Sequence, residues 1–155
     1  MRPVLYRRFR DISVVRVIAK AVIPFILLFA LYVQFHGDFG PGGGFQAGVI
    51  FAAGLILYGL IFGGAPLRKV FPPRAVEIGA ALGVLIYGGT GLYSLFIPKE
   101  GTAGTYAFLD YGALTPHHPV HGQHYGILFV ELGVGITVTC VMVAIFYAFS
   151  GRERS

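Results

Sequence analysis

Residues 32–48, Tyr32-Val33-Gln34-Phe35-His36-Gly37-Asp38-Phe39-Gly40-Pro41-Gly42-Gly43-Gly44-Phe45-Gln46-Ala47-Gly48, lie between two long apolar runs, and reading them as a tight turn makes those runs two separate helices. Gly40, Gly42, Gly43 and Gly44 can adopt backbone conformations closed to other residues, and Pro41 fixes one dihedral, so the chain can reverse there without bulky side chains. Gln34, His36, Asp38 and Gln46 supply polarity on either side of the turn.

Outward from the turn, composition sets the solvent. The 155 residues are 55% apolar and 12% charged, with mean hydropathy +0.73; that charge content is about half that of an ordinary soluble domain. The apolar residues gather in four blocks, Val17 to Phe35, Phe45 to Phe62, Val76 to Phe96 and Tyr125 to Phe149. Each is close to the roughly 20 residues needed to cross a hydrocarbon core of about 30 Å. Spanning segments must satisfy their own backbone hydrogen bonds, and blocks this long without alternating polarity do so as helices rather than barrel strands. The expected fold is therefore all-α: a polytopic membrane protein with four transmembrane helices, in which residues 1–155 form one membrane domain.

Basic residues are distributed unevenly. Arg2, Arg7, Arg8, Arg10 and Arg16 precede the first span, Arg68, Lys69 and Arg74 lie between the second and third, Arg152 and Arg154 follow the fourth, and only Lys99 lies on the other side. The positive-inside tendency then places both termini in the cytoplasm and puts the glycine turn and the 97–124 loop outside. Anionic headgroups account for the net charge of +5, and no basic patch with interleaved aromatics points to nucleic acid. The N-terminal run resembles a signal peptide but is too long and has no small-residue cleavage pattern, so it is expected to be retained. Cys140, the single cysteine, sits mid-span and reads as a small buried hydrophobe.

Several patterns carry candidate chemistry. Gly42-Gly43-Gly44-Phe45-Gln46-Ala47 matches G-x-G-x-x-A formally, but an apolar span precedes it where a dinucleotide fingerprint needs a strand, and no Lys follows for a phosphate loop. Gly44, Gly48 and Ala52 instead make a small-residue helix face, repeated by Gly59 and Gly63 and by Gly79 and Gly83, where neighbouring helices, some from other chains, can approach closely. Glu131 stands about one and a half turns inside the fourth span, and an acid at that depth is costly unless paired, hydrated or protonated. Gly135 and Thr139 extend its face at i+4 and i+8, and His124 lies seven residues before it. Either that face admits water or a cation, or the carboxylate pairs with a partner's base or a helix terminus to fix assembly.

Glu77 follows Arg74 at i+3 and reads as a local interfacial pair; Lys20 falls within the first span, where it either snorkels to the headgroups or exchanges protons. His117, His118, His121 and His124 sit in the outer loop with Pro116 and Pro119, without an accompanying Cys, and form a hydrated, proton-accepting segment rather than a metal site. No nucleophile–base arrangement is legible, so the chain reads as neither an enzyme nor a cofactor-binding protein.

Gln34-x-His36-Gly37, then Gly40-Pro41-Gly42-Gly43-Gly44-Phe45-Gln46-Ala47-Gly48, together with Leu128-Phe129-Val130-Glu131-Leu132-Gly133-Val134-Gly135-Ile136-Thr137-Val138 in the fourth span, resemble the B subunit of multisubunit Mrp-type sodium/proton antiporters. The resemblance covers nearly the whole chain. It implies a small subunit of a hetero-oligomer in the prokaryotic cell membrane that exchanges cytoplasmic Na⁺ for external H⁺ in pH and sodium homeostasis. In that picture large antiporter-like subunits carry the main proton channels, while this chain shapes the assembly and part of the ion path. The family's acid in the last span is often Asp, so Glu131 keeps the charge with a longer reach. The same resemblance admits a membrane subunit of an energy-converting hydrogenase or ferredoxin-oxidising complex, although one Cys cannot itself hold a cluster. An autonomous small channel is a third reading.

Overall fold

The computed structural model describes residues 13–37, 42–96, 111 and 119–151. Gly40, Pro41, Asp38, His117, His118 and most of the basic residues of the two termini lie outside them. Five helices make up the described chain: α1 (Ser13–His36), α2 (Gly44–Phe62), α3 (Gly64–Val70), α4 (Pro73–Phe96) and α5 (Pro119–Gly151). Four of these, all but α3, are long and apolar enough to cross a membrane, and each contains one of the expected blocks.

The helix ends differ from the expected ones for local reasons. Pro73 and Pro119 both occupy the first helical position of their helices, where the missing N–H has no intrahelical partner to lose and the fixed φ suits a helix. Pro119, read as part of the outer loop, instead starts α5, so residues 121 and 124 belong to the first turns of that helix rather than to a loop. Pro24 lies inside α1, as membrane helices allow when neighbouring groups take up the freed carbonyl.

The short α3 has no counterpart in the sequence reading. Gly63 sits at φ 105°, ψ 156°, a region open essentially to glycine alone, so α2 stops there and the chain restarts in a new direction. The Gly63 N–H closes α2 on the Gly59 carbonyl at 2.9 Å. Gly63 is thus a hinge, whereas it was expected to repeat a small packing face. Gly59 instead makes room for Leu67 of α3 and for Phe146, and Leu67 is fully buried while Arg68 and Lys69 are exposed. Arg68 lies over the Tyr147 ring at 5.4 Å, and the Tyr147 hydroxyl donates to the Phe71 carbonyl at 2.6 Å.

In space the long helices run α1, α2, α5, α4, with α1 making only a narrow contact with α5. Glycines set these approaches. A Cβ on Gly48 would stand 2.7 Å from the Gly135 carbonyl oxygen, and one on Gly83 would meet the Thr137 hydroxyl and the Gly133 carbonyl. The small faces at Gly44/Gly48 and Gly79/Gly83 are therefore used against α5 of the same chain, because these helix pairs pack at backbone distance. A modest core of Ala52, Leu55, Leu67, Val76, Cys140 and Val143 lies between them. Many large side chains point outward: Phe25, Leu85 and Phe149 are each 71% exposed. That arrangement suits a hydrocarbon solvent or neighbouring membrane subunits rather than water.

Candidate functional site

The site forms where the end of α1, the start of α2 and the first half of α5 meet. Gly37 follows the last residue of α1, and Gly43 precedes α2 with φ 108°. The Gly43 N–H reaches back to the Val33 carbonyl at 3.4 Å, so both sides of the turn are drawn together. Glu131 projects from α5 into the notch this creates. A Cβ on Gly37 would lie 2.5 Å from Glu131 Oε2 and 2.6 Å from Oε1, and one on Gly43 would lie 2.9 Å from Oε1. A Cβ on Gly44 would collide with the Glu131 backbone carbonyl. Three glycines thus vacate the volume that the Glu131 residue fills.

This placement has electrostatic consequences. Gly43 is the N-cap of α2, so the carboxylate sits beside the positive end of a 19-residue helix. Such a position stabilises an anion by about 0.3–1 kcal/mol, and by up to about 2 kcal/mol when partly buried. The C-terminal end of α1 lies against the same carboxylate and opposes part of that gain.

One turn further along α5 the roles reverse. Gly135 faces α1, where a Cβ would stand 2.6 Å from Gln34 Oε1. Gln34 is only 6% exposed, and its Nε2 has no hydrogen-bond partner among the described residues. Another turn on, Thr139 is buried and its hydroxyl lies 2.8 Å from the Gly135 carbonyl and 3.1 Å from the Gly48 carbonyl, donating within α5 and towards α2. Below Glu131, Gln34, Gly48, Gly135 and Thr139 border a cleft of about 340 Å³ between α1 and α4.

The structure therefore brings together Glu131, Gln34, Gly42, Gly43, Gly44, Gly48 and Thr139, and it does not bring the remaining candidates to the same place. His124 is exposed nearly two turns before Glu131. Lys20 is exposed towards the opposite end of α1, its Nζ 6.0 Å from the centre of the Phe62 ring. Glu77 and Arg74 are both exposed on the first turns of α4. His36 is exposed and stacks on Tyr32 at 5.2 Å, while Phe45 and Gln46 face outward. Gln34, read as supplying polarity beside the turn, is buried on the α1–α5 seam. Gly37 was quoted in the motif beside Gln34 and His36 without a role of its own; it lies immediately after the last residue of α1, where its missing side chain admits the Glu131 carboxylate. Among the described residues no three His, Cys, Asp or Glu side chains gather as a metal site would require. Near the start of α5, the Tyr111 ring covers Gly126, and burial, reinforced by Tyr87, raises its phenol above the ordinary value.

Four lipid-length helices, outward-facing aromatic and aliphatic side chains and one acid seated among helix termini define a multi-pass membrane protein built around an internal polar seam. The chain belongs to the family described as "Domain related to MnhB subunit of Na+/H+ antiporter", which matches residues 14–144. It is similar to a protein of Staphylococcus haemolyticus (strain JCSC1435), with 32% identity over 145 residues that cover 90% of this chain and 95% of the relative. A protein of Staphylococcus aureus (strain Newman) is 31% identical over 140 residues, covering 89% and 94% respectively. Both carry the name "Putative antiporter subunit mnhB2". The chain is accordingly a member of a Na⁺/H⁺ antiporter subunit family in the prokaryotic cell membrane, as the glycine turn and the Glu131 segment had indicated.

Proposed function

We propose that the chain is a non-catalytic membrane subunit of a multisubunit Na⁺/H⁺ antiporter, where it serves assembly of the complex and lines part of the ion path, in sodium and pH homeostasis. The observation that carries this reading is the seat of Glu131. Its carboxylate is held against Gly37 and Gly43 at the N-terminus of α2, so it ties the end of α1 and the start of α2 to α5. The Glu131, Gly135 and Thr139 face then leads from that seat along the cleft. Only Glu77 and Glu131 are acids among the described residues, which supports a reading in which other subunits carry the main proton relay.

The test is Glu131→Gln in the whole complex, with co-purifying subunits and Na⁺-dependent proton exchange measured on the same membrane preparation. The expected result is a lower yield of complex together with lower exchange per assembled complex. Reduced yield with normal exchange per complex would leave assembly and remove the path role. Normal yield with normal exchange would overturn both. Co-purification of iron–sulfur or nickel–iron subunits would reassign the host complex.

A further inference from the structure

We propose that Arg16 and Lys20, on the edge of α1 beside the end of α2, together hold the phosphate of an anionic membrane phospholipid. The two side chains are four residues apart and lie one above the other on the same face of the helix. Lys20 is exposed and Arg16 is half-buried. Lys20 Nζ stands 6.0 Å from the centre of the Phe62 ring, and Phe62 is the last residue of α2. The ammonium therefore reaches the end of the bundle, next to α3 with its exposed Arg68 and Lys69. Although Lys20 belongs to the second turn of a spanning helix, its stem carries the charge to the level of the headgroups.

Nothing in α1 balances the pair. The helix carries no acid from Ser13 to His36, and like charges four residues apart on a helix repel. Arg16 also lies in the first turn, where the helix dipole is positive. Of the two acids among the described residues, Glu131 is seated at the opposite end of α1, and Glu77 is on α4 with α2 and α5 between. A single anion held by both side chains relieves the mutual repulsion and the unfavourable dipole at once.

The position of the ammonium selects the source of that anion. A carboxylate deep in a neighbouring helix would draw the Lys20 stem inward, whereas Nζ lies beside Phe62 at the end of α2. Lipid phosphates occupy that level of the membrane, and their oxygens accept charge-assisted hydrogen bonds from a guanidinium and an ammonium together. Below the pair, Val17, Pro24 and Leu28 continue an exposed apolar strip along α1, against which the acyl chains of the same lipid can lie. A zwitterionic headgroup brings a cation of its own up to Arg16 and Lys20, so a net-anionic lipid is favoured, by about fivefold for each cation.

The test uses the full chain in its complex, in phosphatidylcholine nanodiscs with a trace of phosphatidylglycerol that carries a diazirine near the glycerol end of one acyl chain, followed by peptide mapping. Labelling at Val17 and Phe62 is expected to exceed that from a phosphatidylcholine probe with the same tails about twentyfold, a comparison that needs no variant to fold. Lys20→Gln should lower it about fivefold, and Arg16→Gln with Lys20→Gln should bring it to the phosphatidylcholine level. Arg16→Lys should retain most of it, and Lys69→Gln on α3 should leave it unchanged. Equal labelling by the two probes, or labelling that survives the double substitution, would overturn the site. A loss with Lys69→Gln as large as with Lys20→Gln would overturn the assignment to this pair in favour of general surface charge. Displacement by inorganic phosphate would make the ligand a soluble anion. Lipid labelling that requires Asp11→Asn would show that the chain's own acid occupies the pair, and a carbodiimide cross-link from Lys20 to another subunit, without lipid labelling, would show that a neighbour's carboxylate does; each would overturn the lipid.

Discussion

Gly37 and Glu131 face each other across the junction of α1 and α5 so closely that the carboxylate occupies the space a side chain at residue 37 would need, with both oxygens within 2.6 Å of that Cβ position. Gly37→Ala should therefore force either the carboxylate or the turn to move. Overpacking of this kind costs about 1–3 kcal/mol, and the measurement is thermal stability of the purified chain or complex. Gly88→Ala and Gly89→Ala are the matched controls, because nothing lies within 4 Å of either Cβ position. They should be neutral or stabilising by up to about 1 kcal/mol, as expected for replacing glycine inside a helix.

Gly43→Ala tests the backbone rather than the contact alone. At φ 108° a Cβ is strained by about 1–3 kcal/mol, and the Glu131 oxygen 2.9 Å away adds to it. Combining Gly43→Ala with Glu131→Ala should recover the contact part of the loss and leave the backbone part. A double mutant as unstable as the sum of the singles would show that the carboxylate is not seated there.

Two threonines on α5 separate interhelical from intrahelical bonding. Thr139 joins α5 to the Gly48 carbonyl of α2, whereas Thr137 donates to Gly133 within its own helix at 2.8 Å. Thr139→Val should cost about 0.6 kcal/mol, up to about 1.7 kcal/mol, the range of interhelical bonds in membranes. Thr137→Val should cost less, and equal losses from the two would contradict the packing of α2 on α5 through Thr139.

At the other end of the bundle, Tyr147 ties α5 to the chain that follows α3. Tyr147→Phe removes the donor at 2.6 Å from the Phe71 carbonyl and should destabilise by about 1 kcal/mol. Proteolysis within residues 63–71 should quicken in the variant, because Leu67 and the stacked Arg68 would then hold α3 without that hydrogen bond. Unchanged cleavage would show that burial of Leu67 alone suffices.

The four spans and the placement of the glycine turn between the first two were legible in the chain itself. They depend on run length and composition: a block of about 20 apolar residues has one low-energy arrangement in a bilayer, whatever its neighbours. The face of α5 carrying Glu131, Gly135 and Thr139 was legible for a similar reason, since helical periodicity is local. The positions of Gly40, Pro41, His117 and His118 fall outside the described residues.

What each face meets depended on the tertiary structure. Gln34 reads only as polarity beside a turn, and the approach of α1 to α5 is what buries it opposite Gly135. Gly63 and Pro119 read as a packing position and a loop residue, and they act as a helix break and a helix start because of a backbone dihedral and a helix register that no side-chain pattern encodes. The notch holding Glu131 needed Gly37, Gly43 and Gly44 to converge from two helix ends. Apolar length determined that the chain crosses the membrane four times; backbone-distance packing, possible only where facing residues lack side chains, decided which helix the acid is locked against.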